Sequence, residues 1–287
     1  MPGKSNLERL MEMPLEELEA RAKLKFRLLP DIPALLGHFA RSIALEIAAN
    51  NKRGEPTRLI LPVGPVAHYP MLAEITNRER ISWKQVWEFQ MDEFLDWQGR
   101  PVPASHPLSF TGYLRAHLFG AIDEELRPPR EQQVVPHPFR IDEISEKIRE
   151  AGGIDACYGG IGYHGHVAFN EPPNTRWNRV TEDELRESLT RVVTLGSDSI
   201  VVQSIGSAGG AAAAIPPMAV TLGMKDILAS RRIRLYCAGG ERHRAVFRIA
   251  VAGEVSTDYP VTLVQRHPDA LVHTDVATAE PIAVGLR

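Results

Sequence analysis

One stretch of fourteen residues, GGIGYHGHVAFNEP at positions 159–172, combines four glycines with side chains that can transfer protons. His164 and His166 flank Gly165, and Glu171 follows five positions after His166. Glycines let backbone amides approach a ligand or an anion closely. Histidine titrates near neutral pH, so His166 is suited to pass a proton to an oxygen of a bound molecule, with Glu171 orienting the imidazole. The pattern indicates a catalytic loop, and the alternative is a histidine that only holds the loop together by hydrogen bonds.

A second candidate group closes the apolar run VWEFQMD at residues 86–92 and consists of Asp92 and Glu93. A carboxylate at the end of a strand suits a general base that moves a proton between two carbon atoms, provided that its surroundings tune its pKa. The alternative is a solvated aspartate in a turn. The HPLS sequence at residues 106–109 indicates that a longer, structured loop follows.

The elements that must position these groups appear as alternating apolar patterns. Short apolar runs predict strands at residues 58–64, 86–92, 154–162, 191–195, 232–240 and 270–275. Helical spacing of apolar positions predicts helices at residues 33–52, 107–122, 142–152, 216–230 and 241–253. The segment GSAGGAAAAIPP at residues 206–217 is interpreted as a flexible loop or the start of a helix. Strands separated by helices predict an α/β fold with a mostly parallel sheet that is covered on both faces.

Ligands of such sheets bind where loops leave the carboxyl ends of the strands. The loops at residues 62–70, 91–107 and 160–173 are therefore the candidate binding loops, and the last two contain the carboxylates and histidines described above. We expect a single domain over residues 1–287, in which residues 1–30 form an N-terminal helical extension.

The composition excludes several classes of protein. The chain has 287 residues, 44% of them hydrophobic, and a net charge of -3. With a pI near 6.4 and no concentrated basic run, nucleic acid is not expected as a partner. Two cysteines offer no disulfide framework. The charged N-terminal sequence has no apolar segment of a signal peptide, and no run approaches the roughly 18 apolar residues of a membrane span. We expect a cytoplasmic protein.

Several segments together resemble one protein family. MDEF and HPLSFTGYLRAHLF, with GGIGYHGHVAFNEP, resemble the two signature regions of the glucosamine-6-phosphate deaminase/isomerase family. PPMAVTLGMKDIL, GGERHRAVFRIAVAGEV and PVTLVQRHPDALVHTD resemble its C-terminal third, in the same order. The resemblance runs from residue 30 to residue 277. The related 6-phosphogluconolactonases share the fold and a Gly–His loop but lack the FNEP continuation, which favours the deaminase branch.

The resemblance implies a Rossmann-like three-layer α/β/α fold, a sugar or sugar phosphate as substrate, no metal, no organic cofactor, and a homo-oligomer. It implies that Asp92 moves a proton between C1 and C2, that His166 helps to open the pyranose ring, and that Glu171 supports this histidine. Ring opening comes first because only the open chain exposes the carbonyl. The expected substrate contacts are Gly64, Pro65, Glu93, Gly160, Gly162, Gly165, Asn170, His243 and Arg244.

His164 is the first of three departures from the family pattern. The family has an aspartate two positions before its conserved histidine, so an acceptor-only carboxylate has become a group that can donate, accept or carry a positive charge. His164 therefore cannot balance a nearby ammonium or hold the tautomer of His166 as a carboxylate would. We interpret it as an altered specificity residue within the catalytic group.

The other two departures concern phosphate binding. The family loop after the first strand has a Gly-Gly-Thr-like core, whereas this chain reads LPVGPVAHYP, in which Pro65 lacks an N–H. Alignment places Ile205 where the family has a cationic arginine and His243 where it has a lysine, although Arg242 and Arg244 are neighbours. We interpret these losses as a changed substrate, either a non-phosphorylated sugar or sugar acid, or one that carries its anion elsewhere. The alternative is rescue of phosphate binding by Arg242 or Arg244.

Three other hypotheses stay open at this stage. The chain can be a lactone hydrolase in which His166 activates water, or a sugar-binding relative without catalysis. A metal site is a further alternative, since zinc accepts imidazole and carboxylate ligands. Its candidate ligands are His164, His166, Asp92, Glu171, His68 and His243.

Overall fold

The computed structural model describes residues 5–175 and 177–282. In these ranges the strands are β1 (Phe26–Leu29), β2 (Thr57–Leu61), β3 (Val86–Gln90), β4 (Asp92–Leu95), β5 (Gln133–Val134), β6 (Ala156–Gly160), β7 (Arg191–Thr194), β8 (Met218–Thr221), β9 (Ile233–Cys237) and β10 (Ala270–Asp275). The α-helices are α1 (Asn6–Glu12), α2 (Leu15–Arg21), α3 (Ile32–Arg53), α4 (His68–Glu79), α5 (Phe110–Leu114), α6 (Glu143–Glu150), α7 (Glu182–Arg186), α8 (Ser197–Ser207), α9 (Met224–Leu228), α10 (Arg244–Ala252) and α11 (Val276–Ala279).

A seven-stranded parallel sheet forms the centre of the molecule, in the order β1-β10-β9-β6-β2-β3-β5. Its middle strands, β2, β6 and β9, come from the apolar runs that the sequence assigns to strands. Successive side chains of a strand point to opposite faces. Leu59 and Leu61 accordingly pack in a cluster with α3 and α4, whereas Ile60 packs in a cluster with α6 and α10. The predicted three-layer α/β/α fold with a mostly parallel sheet is confirmed.

A second, antiparallel sheet of β4, β8 and β7 lies beside the carboxyl end of the central one. The predicted strand at residues 86–92 is two strands that part at Met91, whose amide donates to Leu61 of the central sheet and whose carbonyl accepts from Leu222. The predicted helix at residues 216–230 is wrong, because its first part forms β8 and only Met224–Leu228 is helical. Pairing with two neighbouring strands overrides an apolar spacing that suits either structure.

The N-terminal segment is helical only in part. Helices α1 and α2 lie within the segment expected to be a helical extension, but Phe26–Leu29 forms β1 and extends the central sheet along β10. The buried guanidinium of Arg248 in α10 donates to the carbonyl oxygens of Leu10 and Met13, at 3.1 and 2.7 Å. This segment is therefore tied to the body of the domain.

Two other predicted elements differ in detail. Residues 206–207 end α8, and a turn and a short 3-10 helix, Ala212–Ala214, follow in place of a single loop or helix start. Helix α3 is long and apolar enough to cross a membrane by length and composition alone, with a mean hydropathy of 1.3 over its best window. Here its Phe39, Ile43 and Ile47 side chains are fully buried against the sheet.

Candidate active site

The loop after β6 is built around glycines that leave no room for a side chain. A Cβ atom on Gly160 would lie 2.7 Å from the carbonyl oxygen of Gly64, and one on Gly162 would lie 1.8 Å from Nε2 of His166. Gly165 has a φ of 76°, which favours glycine, and its amide donates to the carbonyl of Gly162 at 2.8 Å. These glycines bring the ring of His166 close against the backbone of its own loop.

His164, His166 and Glu171 meet at the centre of this loop, and we refer to them as the His–His–Glu cluster. One polar atom from each lies within 4.8 Å of the other two. The ring centroids of the two histidines are 5.7 Å apart. The structure therefore brings together the three residues that the sequence marks as a catalytic group.

The outer side of the cluster is held by the start of α8. Oε2 of Glu171 accepts a hydrogen bond from the amide of Gly196 at 2.7 Å, and Nε2 of His164 lies 3.3 Å from Oδ2 of Asp198. Three other polar atoms of the cluster have no such partner. Nδ1 of both histidines and Oε1 of Glu171 are buried and have no hydrogen-bond partner among residues 5–175 and 177–282. Since buried polar atoms are normally paired, these three atoms are available to a ligand.

Electrostatics keep the imidazole of His166 neutral. Burial is the main cause that lowers its pKa, and with the smaller contributions of His164 and His243 the pKa falls to about 3. Burial also lowers the pKa of His243, with Arg242 as a second cause. A neutral imidazole has one N–H and one free lone pair, so His166 can accept a proton or donate one, and it carries no charge near neutral pH.

Asp92 is the first residue of β4, and its side chain is buried with 6% of the residue exposed. Burial raises the pKa of Asp92 well above its usual range, and the neighbouring Glu93 raises it further. A carboxyl group with a raised pKa is a stronger base once it is ionised. The surroundings of Asp92 thus favour the protonated form of its carboxyl group.

Strand β8 connects Asp92 to the histidine loop. Thr221 pairs with Asp92 across the small sheet, and its Oγ1 accepts from the amide of Phe169 at 3.0 Å. Nδ2 of Asn170 donates to the carbonyl of Leu222 at 2.8 Å. Asp92 and the loop that carries the His–His–Glu cluster are therefore both attached to the same end of β8.

Glu93 has a different place from the one expected. Its two carboxylate oxygens accept from the amides of Phe94, Phe110 and Thr111 at 2.8–2.9 Å and from the hydroxyl of Ser109 at 3.1 Å. These four donors occupy the carboxylate, so the prediction of a substrate contact is replaced by a structural role. Glu93 holds the start of α5 beside Asp92.

The loop after β2 follows the edge of the same site. Gly64 is exposed, a cis peptide bond joins it to Pro65, and Val66 is 39% exposed. His68, which begins α4, is fully buried and its ring stacks on Phe39 at a centroid distance of 3.8 Å. His68 is therefore a core residue, and it does not belong to the group of His164, His166 and Glu171 that could hold an ion in the described part of the chain.

The cationic side chains near this edge have other partners. Arg244 donates to the carbonyl of Ala277 at 2.8 Å and pairs with Glu280. This arginine, which was expected to contact the substrate, therefore binds the C-terminal segment instead. Arg242 is exposed in the short helix before α10, and Ile205 is 55% exposed on α8. Of the two arginines that flank His243, Arg242 is the one without a hydrogen bond or ion pair to another described residue.

Three residues of the site were missed in the sequence, namely Gly196, Asp198 and Thr221. The first two belong to GSDS at residues 196–199, a composition typical of a helix start, which was the signal available. Thr221 lay inside the segment that was predicted as helix. Each contacts the histidine loop across 25 or more positions of sequence, and no local pattern encodes such a distance.

Comparison with known proteins gives consistent names. The chain is 30% identical over 234 residues to the glucosamine-6-phosphate deaminase of Caenorhabditis elegans, covering 79% of this chain and 80% of that protein. It is 30% identical over 222 residues to glucosamine-6-phosphate deaminase 2 of Mus musculus, covering 75% and 73%. The enzyme of Phocaeicola vulgatus is 28% identical over 260 residues, covering 89% and 92%. No protein-family model matches the chain.

Solved structures show the same fold. A structure described as a monomeric glucosamine-6-phosphate deaminase superposes with a TM-score of 0.75 at 23% identity, covering 89% of this chain and 99% of the other. A 6-phosphogluconolactonase from Shewanella baltica superposes with a TM-score of 0.63 at 20% identity, covering 88% and 98%. Identity and coverage to the named deaminases place the chain by sequence, and the superpositions show a fold that agrees with that placement. The chain belongs to the glucosamine-6-phosphate deaminase family.

Proposed function

We propose that the protein is an aldose–ketose isomerase or deaminase that opens a sugar ring and then moves a proton between C1 and C2. The observation that carries this proposal is the fixation of a buried carboxyl group and a histidine loop to the same end of β8. An enediol mechanism needs both groups, one at the carbon atoms and one at the ring oxygen. The names of the relatives support the same reaction class.

Asp92 is the proposed base at C1 and C2. A base that removes a proton from carbon is effective when its pKa is near the working pH, and burial moves the pKa of Asp92 upward in that direction. Glu93 does not compete for the role because four donors hold its carboxylate. The two neighbouring carboxylates therefore have separate tasks.

His166 is the proposed group for ring opening, with Glu171 in support. Its free Nδ1 takes the proton of the C1 hydroxyl and returns a proton to the ring oxygen as the ring opens. The imidazolium that exists between these two events is stabilised by Glu171, whose Oε1 is free while Oε2 is held by Gly196. Because His164 stands where the family has a carboxylate, this support comes from Glu171 alone.

We propose further that the substrate differs from an ordinary sugar 6-phosphate. Pro65 has no N–H to donate, the neighbouring Val66 has no hydroxyl, and Arg244 is engaged by Glu280. A hydrogen bond to a charged group contributes about 1.5–3 kcal/mol, so the loss of two or three weakens phosphate binding strongly. A non-phosphorylated sugar or sugar acid fits the loop better, as does a sugar whose anion lies near Arg242.

The test is a turnover screen with paired sugars that differ only in a 6-phosphate, including amino sugars and sugar acids, with ketose and ammonia as the measured products. We expect the unphosphorylated member of the active pair to have the higher kcat/KM. A kcat/KM at least tenfold higher for the phosphorylated member would overturn the changed substrate. A ring-opened acid as the product of a lactone would identify a hydrolase instead, and ligand-induced thermal stabilisation without turnover would identify a non-catalytic binder.

Location and assembly are also proposals. Cys157 and Cys237 are free and buried, which suits a reducing compartment, and we propose the cytoplasm. A homo-oligomer follows from the family resemblance, whereas one structural relative is described as monomeric. Light scattering on the native protein decides this point, since a mass near 31.9 kDa would contradict the oligomer.

A further inference from the structure

We propose that the His–His–Glu cluster binds a divalent transition-metal ion of the zinc class. Two imidazoles and one carboxylate are a ligand set that catalytic zinc sites use. One atom from each of His164, His166 and Glu171 lies within 4.8 Å of the other two. In a tetrahedral site, bond lengths of about 2.0–2.1 Å place two ligand atoms about 3.4 Å apart, so closure around an ion needs each pair of atoms to approach by up to about 1.4 Å.

Three polar atoms of the His–His–Glu cluster have no hydrogen-bond partner among the described residues. Nδ1 of His164, Nδ1 of His166 and Oε1 of Glu171 are each buried and receive no hydrogen bond within the described part of the chain. One hydrogen bond could satisfy one such atom. A single cation between them is a partner for all three lone pairs at once, whereas a hydrogen-bond donor such as a sugar hydroxyl satisfies one.

The outer contacts are those that fix metal ligands. Metal-bound histidines commonly donate their second ring N–H to a carboxylate, and bound carboxylates are themselves hydrogen-bonded. Nε2 of His164 lies 3.3 Å from Oδ2 of Asp198, and Oε2 of Glu171 accepts from the amide of Gly196 at 2.7 Å. Both contacts leave Nδ1 of His164 and Oε1 of Glu171 without a partner among the described residues.

Three protein ligands leave at least one coordination position for another group, as in catalytic zinc sites. The use of this position rests on the proposed function. An oxygen of the sugar would occupy it, and the ion would then polarise that oxygen in place of His166. Binding of the ion itself does not depend on the reaction. His164 is essential to this site, because without its imidazole only two ligands are left.

The test is a titration of chelator-treated, full-length protein with Co²⁺, followed by visible absorption and by the melting temperature, without any sugar. We expect one ion per chain, a d–d absorption band, and a melting temperature that rises with the ion concentration. His164→Ala and Glu171→Gln should each weaken binding by at least about a hundredfold, and Asp198→Asn by about tenfold. His117→Ala, which changes an exposed histidine, should leave the affinity unchanged.

Absence of the band in wild-type protein, or equal affinity in wild type and His164→Ala, would overturn the metal site. The melting temperature of each ion-free variant identifies any that fails to fold, and Asp198→Asn then carries the comparison because Asp198 is exposed. Failure of this proposal is separate from failure of the proposed function. Asp92→Asn protein should bind Co²⁺ as the wild type does and yet lose at least about a hundredfold in turnover, so the two results are measured independently.

Discussion

Replacing Asp92 with asparagine should lower turnover at least about a hundredfold and at the same time stabilise the protein. Asparagine has nearly the same shape, but it cannot accept a proton from carbon. It also has no charge to bury. The site of Asp92 raises its pKa, which means that the folded protein disfavours the ionised carboxylate. The native state therefore carries an unfavourable charge that the variant lacks.

The size of both effects follows from these terms. General base catalysis contributes about 10²–10⁴ in rate, so kcat should fall by that factor, equivalent to about 2.7–5.4 kcal/mol in the barrier. Each unit by which the pKa of Asp92 is raised corresponds to about 1.4 kcal/mol of stability lost by the ionised wild type. For a chain of this size, each kcal/mol moves the melting temperature by about 2–4 °C.

The pH dependence has a defined sign. Between the usual pKa of an aspartate and the raised pKa of Asp92, the native state binds more protons than the unfolded state, so wild-type stability falls as the pH rises. The stability advantage of Asp92→Asn should therefore be small at acidic pH. It should grow with pH and become constant above the raised pKa. Melting curves of both proteins across the pH range measure this difference.

Glu93→Gln is the matched control at the neighbouring position. Its amide nitrogen would face donors that now bond to a carboxylate oxygen, so this variant should lose about 2 kcal/mol or more and melt at least about 4 °C lower. Asp92→Asn should therefore raise the melting temperature, and Glu93→Gln should lower it. An Asp92→Asn variant that keeps wild-type kcat, or that melts lower at neutral pH, would refute the reasoning.

Two further predictions concern packing. Gly162→Ala should lower kcat at least about tenfold, because its Cβ would lie 1.8 Å from Nε2 of His166 and the imidazole ring would have to move. Steady-state kinetics measure this change. An unchanged kcat would contradict the assigned position of the ring. Arg248→Met should lower the free energy of unfolding, measured in urea, by about 3–5 kcal/mol, because the carbonyl oxygens of Leu10, Met13 and Ala279 lose a buried donor. A loss below about 1 kcal/mol would show that the N-terminal helices contribute little to stability.

The sequence predicts the central sheet and the chemistry-bearing loops because both depend on short-range patterns. The apolar runs of β2, β6 and β9 are long enough to identify, and His164, His166 and Glu171 lie within one loop. Strand β1 was missed because FRLL is a short run beside charged residues that continue a helical segment. It forms a strand because β10 offers a free edge to pair with, a fact of the tertiary structure.

The functions of neighbouring polar residues were harder to separate. Asp92 and Glu93 are adjacent and chemically alike. Within residues 5–175 and 177–282, however, no donor bonds to the carboxyl group of Asp92, whereas the carboxylate of Glu93 is held by Ser109, Phe110 and Thr111. The donors lie 16–18 positions further along the chain, where no local rule connects them to Glu93. Likewise, Arg244 seemed available to a phosphate until the path of the C-terminal segment was known.

The contact between Gly160 and Gly64 bears on how such proteins diverge. A side chain at position 160 would strike the carbonyl oxygen of Gly64, whatever molecule the site accepts. The loops after β2 and β6 can pack together only if position 160 is glycine. Selection for the fold alone therefore retains Gly160 when the substrate changes. A glycine signature of this kind traces descent more reliably than it traces activity.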